Sequence, residues 1–224
     1  MYSPLRVKIC GLAKAEQALA IADLGADALG FICVPESPRY VTPDCVAAIV
    51  ECLPLLSRQG NPLVTIGVFA NAPLEQIVQT VRMASLRGVQ LHGQESPEFC
   101  DRLRTLLPEV ELIKAFRIRD AASLALLQHY DDKVDTYLLD AFSTQALGGT
   151  GETWNWELLQ EQPPQRPWIL AGGLTPENVL EALDRLSPPG IDLASGVELS
   201  PGHKDLAKAE QLFKLLGRHS VVCS

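Results

Sequence analysis

The chain has 224 residues, of which 47% are hydrophobic, and a formal net charge of −8. That is enough apolar material for one domain with a sizeable core spanning residues 1–224, while the acidic balance and the lack of a basic stripe exclude an ordinary nucleic-acid binder. The apolar runs are strand-length, too short to span a bilayer, and the first residues lack the apolar centre of a signal peptide, so no membrane partner and a cytoplasmic location are expected.

The first apolar run, residues 7–10, is followed by Ala and Leu at helical spacing over 14–24. Then come a run at 28–33 and a helical pattern at 44–56, a run at 63–69 and a helix at 74–86, a run at 88–92 and a helix at 97–106. The second half repeats the alternation: 112–116 with 121–128, 136–140 with a short and weak helical stretch at 154–160, 168–171 with 177–186, and 191–194 with 206–216. Thr42-Pro43, Ser96-Pro97 and Thr175-Pro176 each set a hydroxyl before a proline, the signature of a capped helix start.

Strand followed by helix, eight times over, implies parallel pairing through right-handed crossovers and an α/β fold, a single (β/α)8 TIM barrel. An open doubly wound sheet usually carries a GxGxxG turn after its first strand, and Cys10-Gly11-Leu12 is not one. A barrel keeps its chemistry at the carboxyl ends of its strands. The residues to watch are therefore Cys10, the stretch after Cys33, Phe69, His92, Arg117, Asp140, Gly172, Gly173, Ser195 and Gly196.

Two glycine turns, Gly172-Gly173 after the seventh strand and Ser195-Gly196 after the eighth, fall where barrels often bind phosphate through peptide N–H groups. The bland alternative is a pair of tight strand-to-helix turns. Gly148, Gly149 and Gly151 form a glycine-rich loop after the sixth strand, read either as a cover that closes over substrate or as a plain linker. By strand alternation Lys8 points into the barrel with Cys10, where it needs a partner. Asp192, on the strand that closes against the first, is the expected one.

The six cysteines have no CxxC spacing and no histidine at ligand distance, so neither a metal site nor disulfides are expected. Cys33, Cys45, Cys52 and Cys100 read as small buried hydrophobes.

Lys8-Ile9-Cys10-Gly11, Gly67-Val68-Phe69, Gln90-Leu91-His92-Gly93, Leu138-Leu139-Asp140, Gly148-Gly149-Thr150-Gly151, Ala171-Gly172-Gly173-Leu174 and Ser195-Gly196-Val197-Glu198 occur in the order of the phosphoribosylanthranilate isomerase motifs, and the chain resembles that family over nearly its whole length. The resemblance implies a cofactor-free Amadori rearrangement of a phosphosugar substrate in tryptophan biosynthesis. It further implies Cys10 as general base, Asp140 as general acid, and Arg39 as the contact for the anthranilate carboxylate, to which a guanidinium fork is suited. His92 is read as orienting substrate, with a structural histidine as the alternative. A thiol base would gain from amides at the start of the first helix, and a carboxyl acid from a raised pKa. Two other readings stay open: a histidine-pathway aminoaldose isomerase, which would have Asp at the first-strand end and a second phosphate motif, and a non-catalytic barrel that binds a phosphorylated metabolite. A monomer is expected, with a homodimer as the alternative.

Overall fold

The computed structural model describes residues 5–140, 142–143, 153–154 and 156–222. Strands β1 (Arg6–Cys10), β2 (Ala28–Ile32), β3 (Val64–Phe69), β4 (Gly88–Leu91), β5 (Glu111–Arg117), β6 (Thr136–Asp140), β7 (Trp168–Ala171) and β8 (Gly190–Leu193) pair in chain order and close into a barrel. Every ladder of the barrel is parallel, and closure is made by β1 against β8. Helices α1 (Ala15–Leu24), α2 (Pro43–Glu51), α3 (Leu74–Met83), α4 (Pro97–Leu106), α5 (Ala121–Ala125), α6 (Trp156–Glu161), α7 (Val179–Leu186) and α8 (Leu206–Val222) alternate with the strands.

Local chemistry explains most boundaries. The Thr42 and Ser96 hydroxyls accept from the amides of Cys45 and Phe99, both at 3.3 Å, and so begin α2 and α4. Gly25, at φ 115°, ends α1 by donating back to Ile21 and Ala22. The pattern at 44–56 overran: α2 stops at Glu51, because Pro54 cannot continue it, and Leu55 and Leu56 lie exposed in the following loop. The helix expected from residue 177 begins at Val179, because Thr175 and Asn178 spend their side chains on a preceding turn, Thr175 Oγ1 accepting from Glu177 and Asn178 Oδ1 from Thr175. The fifth helix is shorter than expected and passes into a 3-10 turn over Leu126–Tyr130.

Cys45 and Cys52 are exposed, contrary to the expectation of burial, whereas Cys33 and Cys100 are buried. On α2 it is Val46 and Ile49 that face the sheet. Cys45 and Cys52, seven residues apart, fall together along one border of that buried stripe, on its solvent side.

Two apolar bodies hold the fold. The larger lies between helices and sheet. The smaller fills the barrel itself, with Ala28, Ile66, Ile113, Ala115, Leu138, Ile169 and Ala171. Below it the barrel floor is polar: Arg6 pairs bidentately with Glu111 at 2.5 and 2.6 Å, and Thr136 Oγ1 donates to Glu111 at 3.0 Å. The packed interior closes the amino end, which leaves the carboxyl end as the place for a ligand.

Candidate active site

A cavity of about 890 Å³ opens at the carboxyl ends of the strands, and every barrel strand but β5 contributes to its wall. Cys10, Arg39, His92, Asp140, Gly172, Gly173, Ser195 and Gly196 all line it. Phe69 does not: it is fully buried in the outer core, and its neighbour Val68 takes the inner face. Arg117, at the end of the strand that contributes nothing, is exposed and outside the wall. Gly148, Gly149 and Gly151 lie outside the described residues.

Cys10 is opposite Gly30 in the β1–β2 ladder, and a Cβ at Gly30 would come within 2.7 Å of the Cys10 sulfur. Glycine there makes room for the thiol. α1 begins at Ala15, and the two amides that follow Cys10 in the chain, those of Gly11 and Leu12, both donate to the Gly30 carbonyl, at 2.9 and 3.0 Å. Burial pushes the Cys10 thiol above its ordinary pKa, against the Lys8 ammonium, which pulls it down, and with Asp192, which adds to the rise.

Lys8, with 0% of its side chain exposed, donates to Asp192 Oδ2 at 2.9 Å, the pairing that strand alternation implied. Burial draws the Lys8 pKa down, but Asp192 and Cys10 outweigh it and the net direction is up. Lys8→Met is expected to destabilise the protein by about 3–5 kcal/mol, because it strands the Asp192 carboxylate, and adding Asp192→Leu should recover much of the loss. Urea unfolding of the two variants checks this; equal stability of Lys8→Met and the parent would refute it.

Arg39 has a partner that the sequence did not suggest. Glu198 accepts from Arg39 Nε at 3.0 Å and from Nη2 at 2.6 Å, and Lys204 Nζ reaches the same carboxylate at 2.9 Å. Burial raises the Glu198 pKa, but Arg39 and Lys204 together hold it below the ordinary carboxylate value. The fork is thus anchored by one edge, and no hydrogen bond within the described residues occupies Nη1. Gly11, at φ 80°, lets the Arg39 chain pass: a Cβ there would meet Arg39 Cδ at 2.8 Å.

The two glycine turns meet. A Cβ on Gly196 would stand 1.9 Å from the Leu174 carbonyl oxygen, so the β8 turn packs directly on the β7 turn. Gly172 and Gly173 take φ of 94° and 62°, which side chains disfavour. Ser195–Val197 forms a single 3-10 turn, and among the described residues no acceptor is bonded to the amides of Gly173, Ser195 or Gly196. Asn178 and Lys208 flank these turns in the cavity wall and were not anticipated.

His92 Nδ1 is 3.0 Å from Gln90 Nε2. Burial holds the imidazole below its ordinary pKa, although Asp140 opposes this, so the ring is neutral near pH 7. Gln90 and Asp192 also line the cavity, and neither was singled out as a ligand contact. Their positions were readable in principle, since Gln90 lies two residues from His92 and so shares its face, and Asp192 stands opposite the inward-pointing Lys8.

A closed parallel barrel whose mouth gathers a thiol, a carboxyl, an anchored guanidinium and two interlocked glycine turns defines a (β/α)8-barrel enzyme of small-molecule metabolism. The family model described as N-(5′-phosphoribosyl)anthranilate (PRA) isomerase matches residues 7–215. The chain belongs to that family, the isomerases of tryptophan biosynthesis. It is 59% identical over 210 residues to N-(5′-phosphoribosyl)anthranilate isomerase of Acaryochloris marina, covering 94% of this chain and 97% of the relative. The phosphoribosyl anthranilate isomerase of Thermotoga maritima superposes with a TM-score of 0.83 at 34% identity, covering 96% and 99% of the two chains. A phosphoribosyl anthranilate isomerase in complex with reduced 1-(o-carboxyphenylamino)-1-deoxyribulose 5-phosphate superposes with a TM-score of 0.80 at 33% identity, with coverage of 96% and 99%. No described helix is long and apolar enough to cross a membrane.

Proposed function

We propose that the chain converts N-(5′-phosphoribosyl)anthranilate to 1-(2-carboxyphenylamino)-1-deoxyribulose 5-phosphate with Cys10 as general base and Asp140 as general acid. The supporting observation is that the thiol and the carboxyl share one cavity with Arg39 and with the glycine turns after β7 and β8. A ligand with a carboxylate at one end and a phosphate at the other matches that distribution, and a relative is solved with such a molecule.

Asp140 gives a proton to the furanose ring oxygen as the C1′–O bond breaks, and the nitrogen lone pair forms the iminium. The iminium acidifies the C2′ proton, which Cys10 removes. The electrons of that C–H bond form the C2′–C1′ double bond while the C1′=N pair returns to nitrogen. The resulting enolamine loses its hydroxyl proton and gains one at C1′, giving the ketone. The substrate nitrogen acts as the electron sink, so one acid and one base carry the proton traffic.

Gly172, Gly173, Ser195 and Gly196 hold the phosphate through peptide N–H groups, which is how a chain of net charge −8 binds a dianion. Arg39 receives the anthranilate carboxylate on the edge that Glu198 leaves open, and His92 orients the substrate between these ends. Arg39→Lys is expected to raise KM by about tenfold or more with little change in kcat, because a charge-assisted fork to an unreacting carboxylate is lost equally from ground and transition states. Steady-state kinetics decides it; a fall confined to kcat would move Arg39 out of the binding role.

The direct test adds N-(5′-phosphoribosyl)anthranilate to the purified protein and follows the loss of anthranilate-like fluorescence. Turnover is expected. Binding without turnover would favour a barrel that only holds the phosphosugar.

A further inference from the structure

We propose that Gln90 is a positioning and specificity residue of this cavity: its amide N–H fixes His92 as a hydrogen-bond donor toward the ligand, and its Oε1 accepts a hydroxyl of the ribosyl chain. This rests on the isomerase reading above and adds to it the part of the site that handles the sugar.

Gln90 lies on β4, is 1% exposed, and lines the cavity. Its β-ladder neighbours are Val68 and Ile113. Nothing around it calls for an amide on packing grounds, and an apolar side chain of the same length would fill the place. The amide nevertheless has one oriented contact, Nε2 to His92 Nδ1 at 3.0 Å, and one oxygen, Oε1, that is buried without a hydrogen-bond partner among the described residues. An unpaired buried carbonyl is destabilising, and native structures keep few of them.

The contact dictates a tautomer. The amide nitrogen can only donate, so His92 Nδ1 accepts and carries no proton. A neutral imidazole then bears its proton on Nε2, and His92 lines the cavity as a donor. Turning the amide over would let Oε1 accept from Nδ1–H and leave both N–H groups without acceptors, whereas the orientation in the structure leaves one N–H and Oε1 without partners. The structure holds the amide with Nε2 toward the ring, which leaves the acceptor facing a ligand.

The free Oε1 identifies the kind of ligand group it meets. It needs a donor. The phosphate and the carboxylate of the substrate only accept, whereas the ribosyl hydroxyls and the anilino N–H donate, and anthranilate, which keeps the nitrogen donor but has no hydroxyl, separates the two. Asp192 Oδ1, also buried and unpartnered among the described residues, lines the same cavity, so the sugar enters a space with two waiting acceptors.

The test compares the parent protein with Gln90→Met and Gln90→Glu. Two-bond 1H–15N correlation spectra of the parent are expected to show His92 protonated on Nε2. In Gln90→Glu the carboxylate only accepts, and the proton should move to Nδ1. Gln90→Met is expected to keep or raise the thermal midpoint, since it removes an orphaned oxygen, while weakening binding of 1-(2-carboxyphenylamino)-1-deoxyribulose 5-phosphate by about 10- to 100-fold. Anthranilate and inorganic phosphate, which have no sugar hydroxyl, should bind both proteins alike. A parent His92 protonated on Nδ1, an unchanged affinity of Gln90→Met for the product, or a collapse of its thermal midpoint would each overturn the proposal. Failure of the parent to turn over substrate would instead strike the isomerase reading, and the tautomer measurement is independent of it.

Discussion

Cys10→Ser and Asp140→Asn are each expected to lower kcat by about 10² to 10⁴-fold while leaving product affinity within a few-fold of the parent. The two substitutions keep size and shape. Serine replaces a thiol by a hydroxyl that is far harder to ionise, and asparagine removes the transferable proton. Neither opens a void, and Gly30 already leaves space against the Cys10 side chain. The pH profile supplies a second readout. Burial holds the Cys10 thiol above its ordinary value despite Lys8, so the alkylation of residue 10 by iodoacetamide, which follows the thiolate fraction, should still be climbing above about pH 8.5, where an unperturbed thiol titrates. That alkaline rise should vanish in Cys10→Ser. Rates within tenfold of the parent in both variants would end the assignment of base and acid. Binding measured by calorimetry separates this from simple failure to hold the ligand.

Gly196→Ala is expected to cripple phosphate recognition. A methyl at that position would press into the Leu174 carbonyl oxygen at 1.9 Å, and the atoms behind it are backbone: the Leu174 carbonyl carbon at 2.9 Å and Thr175 Cα at 3.1 Å. No flexible side chain can swing aside. The β7 and β8 turns must part, which separates the amides of Ser195 and Gly196 from that of Gly173. KM should rise by about 100-fold or more, with inorganic phosphate losing its competitive inhibition, because several charge-assisted contacts worth about 1.5–3 kcal/mol each are displaced together. Circular dichroism should remain that of a barrel, since the eight strands and their core are untouched. A parent-like KM would mean that the phosphate is held elsewhere.

The barrel was legible because period carries it. Eight strand-length runs alternating with amphipathic segments admit few closed arrangements, and the parallel ladders follow chain order. What the pattern could not mark was where helices yield to turns. Pro54 cut α2 short, and the Thr175–Asn178 turn delayed α7, both through hydrogen-bonding choices that a hydrophobic pattern does not encode. The site was legible at the strand ends, where Cys10, His92, Asp140 and the glycine turns fall by register. The buried Lys8–Asp192 pair was readable for the same reason: the two strands close the barrel and their inner faces coincide. The Arg39–Glu198–Lys204 cluster was not, because it joins a loop after β2 to the segment beyond β8, and side chains 159 residues apart meet only through the closed geometry. The fate of the Gly11 and Leu12 amides was equally hidden. The Gly30 carbonyl on the neighbouring strand claims both.

The Arg39–Glu198 clamp also bears on how the substrate finds the mouth. The guanidinium shares its one counter-charge with the Lys204 ammonium, so the cluster keeps a single positive charge on a molecule that is anionic as a whole. Beyond a Debye length of roughly 8–10 Å there is little positive field to draw in a phosphorylated acid. Under the proposed assignment of Arg39 and the glycine turns, selection happens at touching range, by the shape of a guanidinium edge and a pair of peptide hooks, and arrival is left to diffusion.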